Sequence, residues 1–249
     1  MTAPRLPRPG RRAVLLGGGL AIGVAGTGTA WAVTGNGTGA SAATTVPSAV
    51  VPPDDDLMRE HGVLKRVLLC YREMTSQILA GHPVTAADLQ GAALIIHDFI
   101  EGFHEGLEEG YVFPRLLHAQ QLTSTVDTLL VQHARGRVIT QFILAQATAK
   151  GVASRATLAD LAAAMQAFVR MYEPHEARED TVVFPAYRQL LSATELTDLG
   201  QHFADLEREQ FGTDEFTAMT GRVAGIEQNL GIYDLTQFTP QVTQYLPKE

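Results

Sequence analysis

The chain has 249 residues, enough to bury a full hydrophobic core, and its hydrophobic content of 45% is ordinary for a globular protein. The formal net charge is −8, and because four arginines and no acid fall within the first 32 residues, the remainder is near −12. Such a charge repels phosphate backbones, which argues against a nucleic acid partner. Cys70 is the only cysteine, so an internal disulfide and a cysteine-based zinc or iron–sulfur site are excluded.

Residues 1 to 32 have the features of an export signal. The basic pair Arg11-Arg12 precedes the weakly apolar run AVLLGGGLAIGVAGTGTAWA, which ends in a small-x-small cleavage sequence. This arrangement resembles a twin-arginine signal, the type that exports proteins already folded around a cofactor. The glycines and threonines in the run make it a poor membrane anchor. We therefore predict an extracytoplasmic protein with no stable membrane insertion once the signal is cleaved; an uncleaved anchor is the alternative.

The rest of the chain divides into three predicted regions. Residues 33 to 53 are rich in Gly, Ser, Thr and Pro, which is typical of a flexible linker. Residues 54 to 191 contain four helical segments and no alternating strand pattern, which predicts an all-α fold, an up-down-up-down four-helix bundle. Residues 192 to 249 contain two additional helical segments, predicted to pack on the bundle as a C-terminal extension.

Capping residues and helix breakers set the predicted boundaries. Pro114 is expected to interrupt the second helix, because proline removes a backbone donor and clashes with the preceding turn. The predicted helices run from Asp54 to Gly81, Thr85 to Phe113, Ser124 to about Lys150, Thr157 to Phe184, Ser192 to Gly212, and Asp214 to Leu230.

One motif occurs twice, as HEGLEEGYVFP from His104 and as HEAREDTVVFP from His175. In each copy a glutamate follows the histidine by four residues, so on a helix both side chains lie on one face. His61 and His133 occupy core-facing positions of the first and third helices. A single buried imidazole is usually a hydrogen-bonded core residue, but four of them with two glutamates indicate metal binding. Nitrogen and oxygen ligands of this kind suit two iron or manganese ions bridged by carboxylates.

A ferritin-like site would instead use Glu-x-x-His on two helices. Glu101 and His104 fit that spacing, but Tyr172 stands where the second copy needs the matching glutamate. The His-x-x-x-Glu spacing holds in both copies, so it is the preferred interpretation.

Four segments, REHGVL, FHEGLEEGYVFP, QHARGR and PHEAREDTVVFP, resemble the ligand segments of the haemerythrin family, in the variant called the haemerythrin-like HHE cation-binding domain. The resemblance implies a di-iron site, with Glu108 and Glu179 as bridging carboxylates. Oxygen carriers of the family place their last carboxylate at the position of Asp180, but on a regular helix Glu179 lies closer to the direction of His175. The ligands that the resemblance implies are His61, His104, Glu108, His133, His175 and Glu179.

One departure from the family bears on function. Oxygen-carrying haemerythrins have a histidine where this chain has Arg137, which puts reversible oxygen carriage in doubt and leaves a position for water, Glu105 or substrate. We expect an exported protein with two non-haem iron ions that binds or senses O₂ or a related small molecule. The alternatives are an oxidoreductase that consumes peroxide or nitric oxide, and an iron-storage protein; manganese and zinc are the alternative metals. Residues that could assist the site from outside the ligand set are Glu105, Glu176, Asp180 and His97.

Overall fold

A computed structural model of the chain describes residues 50–212 and 214–242. The predicted export signal and linker residues 33–49 lie outside the described residues. Within the described ranges every regular element is a helix, which confirms the all-helical class. None of these helices is both long and apolar enough to cross a lipid bilayer.

Seven helices follow one another in the described part of the chain. A single turn of 3₁₀ helix, Leu235–Phe238, follows the last of them. The helices are α1 (Pro53–Leu79), α2 (86–118), α3 (Thr123–Gln146), α4 (Ala149–Val152), α5 (155–189), α6 (Ala193–Phe211) and α7 (Glu215–Leu230).

Side-chain caps explain where most of these helices begin. The hydroxyl of Thr85 accepts from the backbone N–H of Asp88 at the start of α2, and Ser192 forms a capping box at the start of α6. Helix α5 begins earlier than predicted, because the hydroxyl of Ser154 accepts from the N–H of Thr157. Helix α3 ends at Gln146 rather than near Lys150, because a separate turn, α4, starts after Thr148.

Proline does not interrupt α2, contrary to the sequence-based expectation. A π-helical turn, Glu108–Val112, directly precedes Pro114, and the helix continues to His118. The same arrangement recurs in α5, where the turn Glu179–Val183 precedes the second motif's proline. The wider turn bonds each N–H to the carbonyl five residues back, so the clash with the carbonyl four residues before proline is avoided. Both turns begin at the glutamate that follows the motif histidine by four residues.

Helix α1 is the central element of the packing. It contacts α5 along one side and α6 and α7 along another, and α3 packs against α2 and α5. An ion pair between Arg66 and Glu227 joins α1 to α7. As a result α1 is buried on two faces, and burial raises the pKa of the Cys70 thiol on it to about 12, which keeps that thiol protonated and unreactive at neutral pH.

Candidate metal centre

Four histidines from four helices meet in pairs inside the bundle. The Nε2 atom of His61 on α1 lies 3.0 Å from that of His104 on α2. The Nε2 atom of His133 on α3 lies 3.2 Å from that of His175 on α5. None of the four residues is more than 4% exposed. Every one of these imidazoles thus directs the same ring nitrogen toward the interior.

Two glutamates with no exposed surface lie between the histidine pairs. The oxygens of Glu108 lie 3.6 Å from the Nε2 atom of His104 and 3.4 Å from that of His133. One oxygen of Glu179 lies 3.5 Å from the α1 imidazole and 3.2 Å from the α5 imidazole. None of the four carboxylate oxygens has a hydrogen-bond partner among the described residues. Because burying an unpaired carboxylate is costly, this arrangement fits side chains that hold cations.

The outward-facing nitrogen of each histidine has its own acceptor. Carboxylate and amide oxygens accept hydrogen bonds, so each Nδ1 carries the proton and each inward Nε2 presents a lone pair. The Nδ1 distances are 2.7 Å from His61 to Asp180, 2.8 Å from His104 to Glu60, 2.9 Å from His133 to Glu109, and 2.9 Å from His175 to Gln132.

Two lone pairs about 3 Å apart repel each other unless a positive charge lies between them. Burial lowers the pKa of His61, but the hydrogen bond to Asp180 and the adjacent negative charge of Glu179 outweigh burial and raise this pKa to about 9. Burial, followed by the charge of His61, holds the pKa of His104 well below its ordinary value. In the metal-free protein the first pair therefore shares one proton, and a metal ion can replace that proton.

The two glutamates, like His61 and His104, differ from each other in their affinity for protons. Burial and then the charge of Glu179 hold the pKa of Glu108 well above its ordinary value. Burial also acts to raise the pKa of Glu179, but the adjacent imidazoles of His175 and His61 outweigh it and hold that pKa well below its ordinary value. Two neighbouring carboxylates that cannot both be ionised favour a bound cation, which stabilises both negative charges.

The site has an approximate internal symmetry that relates α1 to α3 and α2 to α5. Four residues after the histidine, α1 carries Lys65 and α3 carries Arg137. Lys65 forms an ion pair of 3.1 Å with buried Glu176, and Arg137 donates to buried Glu105 at 2.7 Å. Arg137 also donates to Glu109 at 2.7 Å. The glutamates that directly follow the motif histidines therefore pair with cations on neighbouring helices, and Arg137 is a counter-ion.

The structure separates the remaining candidates. Asp180 accepts from His61 Nδ1, while Glu179 is the carboxylate beside His175 Nε2. His97, named above as a residue that could assist the site, has a side chain that is 48% exposed and bonded to Asp98, so it lies apart from the ligands. The π-helical geometry that carries His97 moves it off the ligand face of a regular helix.

Sequence reasoning missed most of the Nδ1 acceptors. Glu60 directly precedes His61 and Gln132 directly precedes His133, so an acceptor before each of these histidines was an available signal. Glu109 also matches Asp180 in the alignment of the repeated motif. Neither signal specifies a partner, because each acceptor bonds to a histidine of another helix.

A second buried polar cluster lies beside the histidines. The hydroxyl of Tyr172 on α5 donates to Glu105 at 2.7 Å, and the hydroxyl of Thr140 on α3 donates to Glu101 at 2.6 Å. Burial is the main cause that raises the pKa of Glu101 to about 7. Gly136 on α3 lies directly against the Tyr172 ring. This cluster connects the first motif copy with α3 and α5.

Comparisons with known proteins agree with this geometry. The family described as "Hemerythrin HHE cation binding domain" matches residues 53–153, which include three of the four histidines. Uncharacterised proteins of Mycobacterium bovis and of two Mycobacterium tuberculosis strains are 50% identical to the chain over 198 residues. The match covers 79% of this chain and 78% of each relative. No solved structure shows a significant match.

Proposed function

Because residues 53–153 belong to the haemerythrin HHE cation-binding family, we propose that the chain holds two non-haem iron ions and binds O₂ or a related small oxidant. One observation carries the proposal. Two imidazole pairs face each other, and the two carboxylates between them have no hydrogen-bond partner among the described residues. The proposal includes an up-down-up-down arrangement of α1, α2, α3 and α5.

The ligands divide into two equal sets. His61 and His104 would hold one ion, and His133 and His175 would hold the other. The proposed bridging carboxylates are Glu108 and Glu179, because each approaches one histidine of both pairs. Two imidazoles and a carboxylate with open positions are a ligand set of non-haem iron that reacts with oxygen. When bound, such ions supply a place for a small oxidant and exchange electrons with it.

The protein's own residues restrict what can react there. The ligand side chains are at most 4% exposed, so only a molecule of the size of O₂, peroxide or nitric oxide fits without a large movement of the helices. Replacing bulk water by buried histidines and carboxylates also strengthens every charge interaction at the site. We therefore propose small oxidants as the ligands.

Consumption of peroxide or nitric oxide is the second candidate function, and Arg137 favours it. A guanidinium stays protonated and has no lone pair for a metal, so it cannot take the place of the histidine found in oxygen carriers. Its hydrogen bonds to Glu105 and Glu109 hold it at the edge of the site. An exchangeable position therefore remains for an oxidant. Steady-state assays of peroxide and nitric oxide consumption distinguish this function from reversible O₂ binding.

Metal analysis tests the central proposal. The parent protein should bind two iron ions, and His104→Ala or His175→Ala should each lose at least one, because each removes a ligand from one pair. His82→Ala is the matched control, since His82 lies exposed in the turn after α1 and should leave the metal content unchanged. Less than one iron per chain in the parent after reconstitution with ferrous iron would contradict the proposal.

We further propose that residues 54–191 form the metal-binding bundle, that residues 192–249 cover it, and that the protein works outside the cytoplasm. The twin-arginine route suits a protein whose metal site must fold before export. Replacing Arg11 and Arg12 by Lys should therefore retain the precursor in the cell, as measured by fractionation. Unchanged export of the double variant would instead indicate general secretion or an uncleaved anchor.

A further inference from the structure

Tyr172 differs from the other fully buried tyrosines of the described part. The hydroxyls of Tyr71 and Tyr187 have no hydrogen-bond partner there, although both rings are completely buried. The hydroxyl of Tyr172 donates to the Oε1 atom of Glu105 at 2.7 Å, and the residue is only 1% exposed. Tyr172 is thus the buried phenol that has a base in place to accept its proton.

The absence of a side chain at Gly136 leaves space for the Tyr172 hydroxyl. A Cβ atom at position 136 would overlap the Tyr172 hydroxyl and come within 2.8 Å of two of its ring carbons. Glycine at this position of α3 therefore makes the placement of the ring possible. The first motif copy carries Glu101 at the position equivalent to Tyr172, so only one half of the symmetric site has this phenol.

Tyr172 also lies close to the metal centre. Its ring centroid is 5.0 Å from that of His175, one of the proposed ligands. Its proton acceptor, Glu105, directly follows another proposed ligand, His104. The ring of Phe168 stacks on Tyr172 at 4.2 Å, with an angle of 16° between the planes. An electron thus has a short path to the site, and the phenol is shielded from solvent.

We propose that Tyr172 is a redox-active residue that donates one electron to the metal pair after a peroxide has taken electrons from the ferric form of that pair. The proposal rests on the proposed function. In this step the O–H bond of Tyr172 breaks, its proton forms a bond to Oε1 of Glu105, and its electron reduces the metal pair by one unit of charge. The products are a neutral tyrosyl radical, a protonated Glu105 and the partly reduced pair.

The surroundings make a coupled transfer of proton and electron the favourable route. The hydroxyl of Tyr172 already donates to Glu105 at 2.7 Å, so its proton can move along an existing hydrogen bond as the electron leaves. Loss of the electron without the proton would leave a buried cation next to apolar Phe168. When Glu105 becomes neutral, Arg137 keeps Glu109 as its partner, so the transfer leaves no unpaired guanidinium.

Electron paramagnetic resonance tests the proposal directly. The parent and its variants are loaded with ferrous iron, their iron content is matched by analysis, and the iron is allowed to become ferric in air. Each sample is then frozen after addition of hydrogen peroxide. We expect an organic radical signal in the parent, which narrows when the protein contains ring-deuterated tyrosine. Tyr172→Phe should lose the signal, whereas the matched control Tyr71→Phe should keep it, because that hydroxyl has no acceptor and its removal disturbs no hydrogen bond.

A second variant separates the proton acceptor from the ring. Glu105→Gln can still accept the hydrogen bond but is too weak a base to take the proton, so its radical signal should fall while its iron content is retained. An undiminished signal in Tyr172→Phe, or no signal in a parent that binds two irons and consumes peroxide, would overturn the assignment. A parent that binds no iron would overturn the proposed function itself, and the metal analysis detects that result before peroxide is added.

Discussion

Gly136→Ala tests whether the Tyr172 ring is held against helix α3. The new methyl group would overlap the Tyr172 hydroxyl, and a Cβ contact that close forces the ring to move. Moving the ring costs about 1–3 kcal/mol as overpacking. It also breaks the hydrogen bond to Glu105, at about 1.5–3 kcal/mol because the acceptor is charged. The better helix propensity of alanine returns only about 1 kcal/mol.

The net expectation is a destabilisation of about 3 kcal/mol, which for a protein of this size lowers Tm by about 10 °C. Circular dichroism of metal-free protein during thermal unfolding measures this change. Gly62→Ala is the matched control, because Gly62 is also helical and directly follows His61, and nothing lies within 4 Å of a Cβ there. That variant should gain about 1 kcal/mol from helix propensity alone.

A rescue variant sharpens the test. Removing the hydroxyl in the double variant Gly136→Ala with Tyr172→Phe should recover part of the lost stability, so the two effects should not add. If Gly136→Ala is as stable as the parent, or gains stability as Gly62→Ala does, then the ring is not packed against α3. In that case the reasoning about Tyr172 fails at its first step.

Three further predictions concern charge at the site. Arg137→His should give a longer-lived oxygenated species and slower peroxide turnover, because an imidazole can ligate where the guanidinium cannot; parent-like absorption spectra and rates in a variant with two irons would contradict this. Metal loading should release protons from His61 and Glu108, seen by calorimetry in buffers of different ionisation enthalpy, and metal affinity should fall as the pH falls. In the metal-free protein the raised pKa of His61 should stabilise the fold by about 3 kcal/mol below pH 6.5. This stability should be lost as the pH rises through about 9. Urea unfolding that does not change with pH over that range would refute the prediction.

The sequence was sufficient to predict the helical class and to predict that the histidines and glutamates lie in one region. Helical periodicity converts a spacing of four residues into a shared face, so the pair His104 and Glu108 follows from local geometry alone. The caps at Thr85 and Ser192 were predictable for the same reason, since a cap depends on residues only three positions apart.

Local patterns failed where two wide turns changed the register of the helix. Pro114 was expected to end α2, but the π-helical turn before it lets the helix continue, and the longer π-helical stretch before His104 carries His97 to the surface. A regular period of 3.6 residues does not describe such segments. Tertiary packing sets the turn geometry there, and the spacing of residues along the chain does not record it.

Only the tertiary structure determined what surrounds the ligands. Asp180 bonds to His61 across 119 positions of sequence, and Arg137 bonds to Glu105 from a different helix. The contact of Gly136 with the ring of Tyr172 likewise depends on how α3 and α5 approach each other. Spacing along one helix determines which side chains share a face. The distance and rotation between helices determine which faces meet, and these arise from the packing of the whole core.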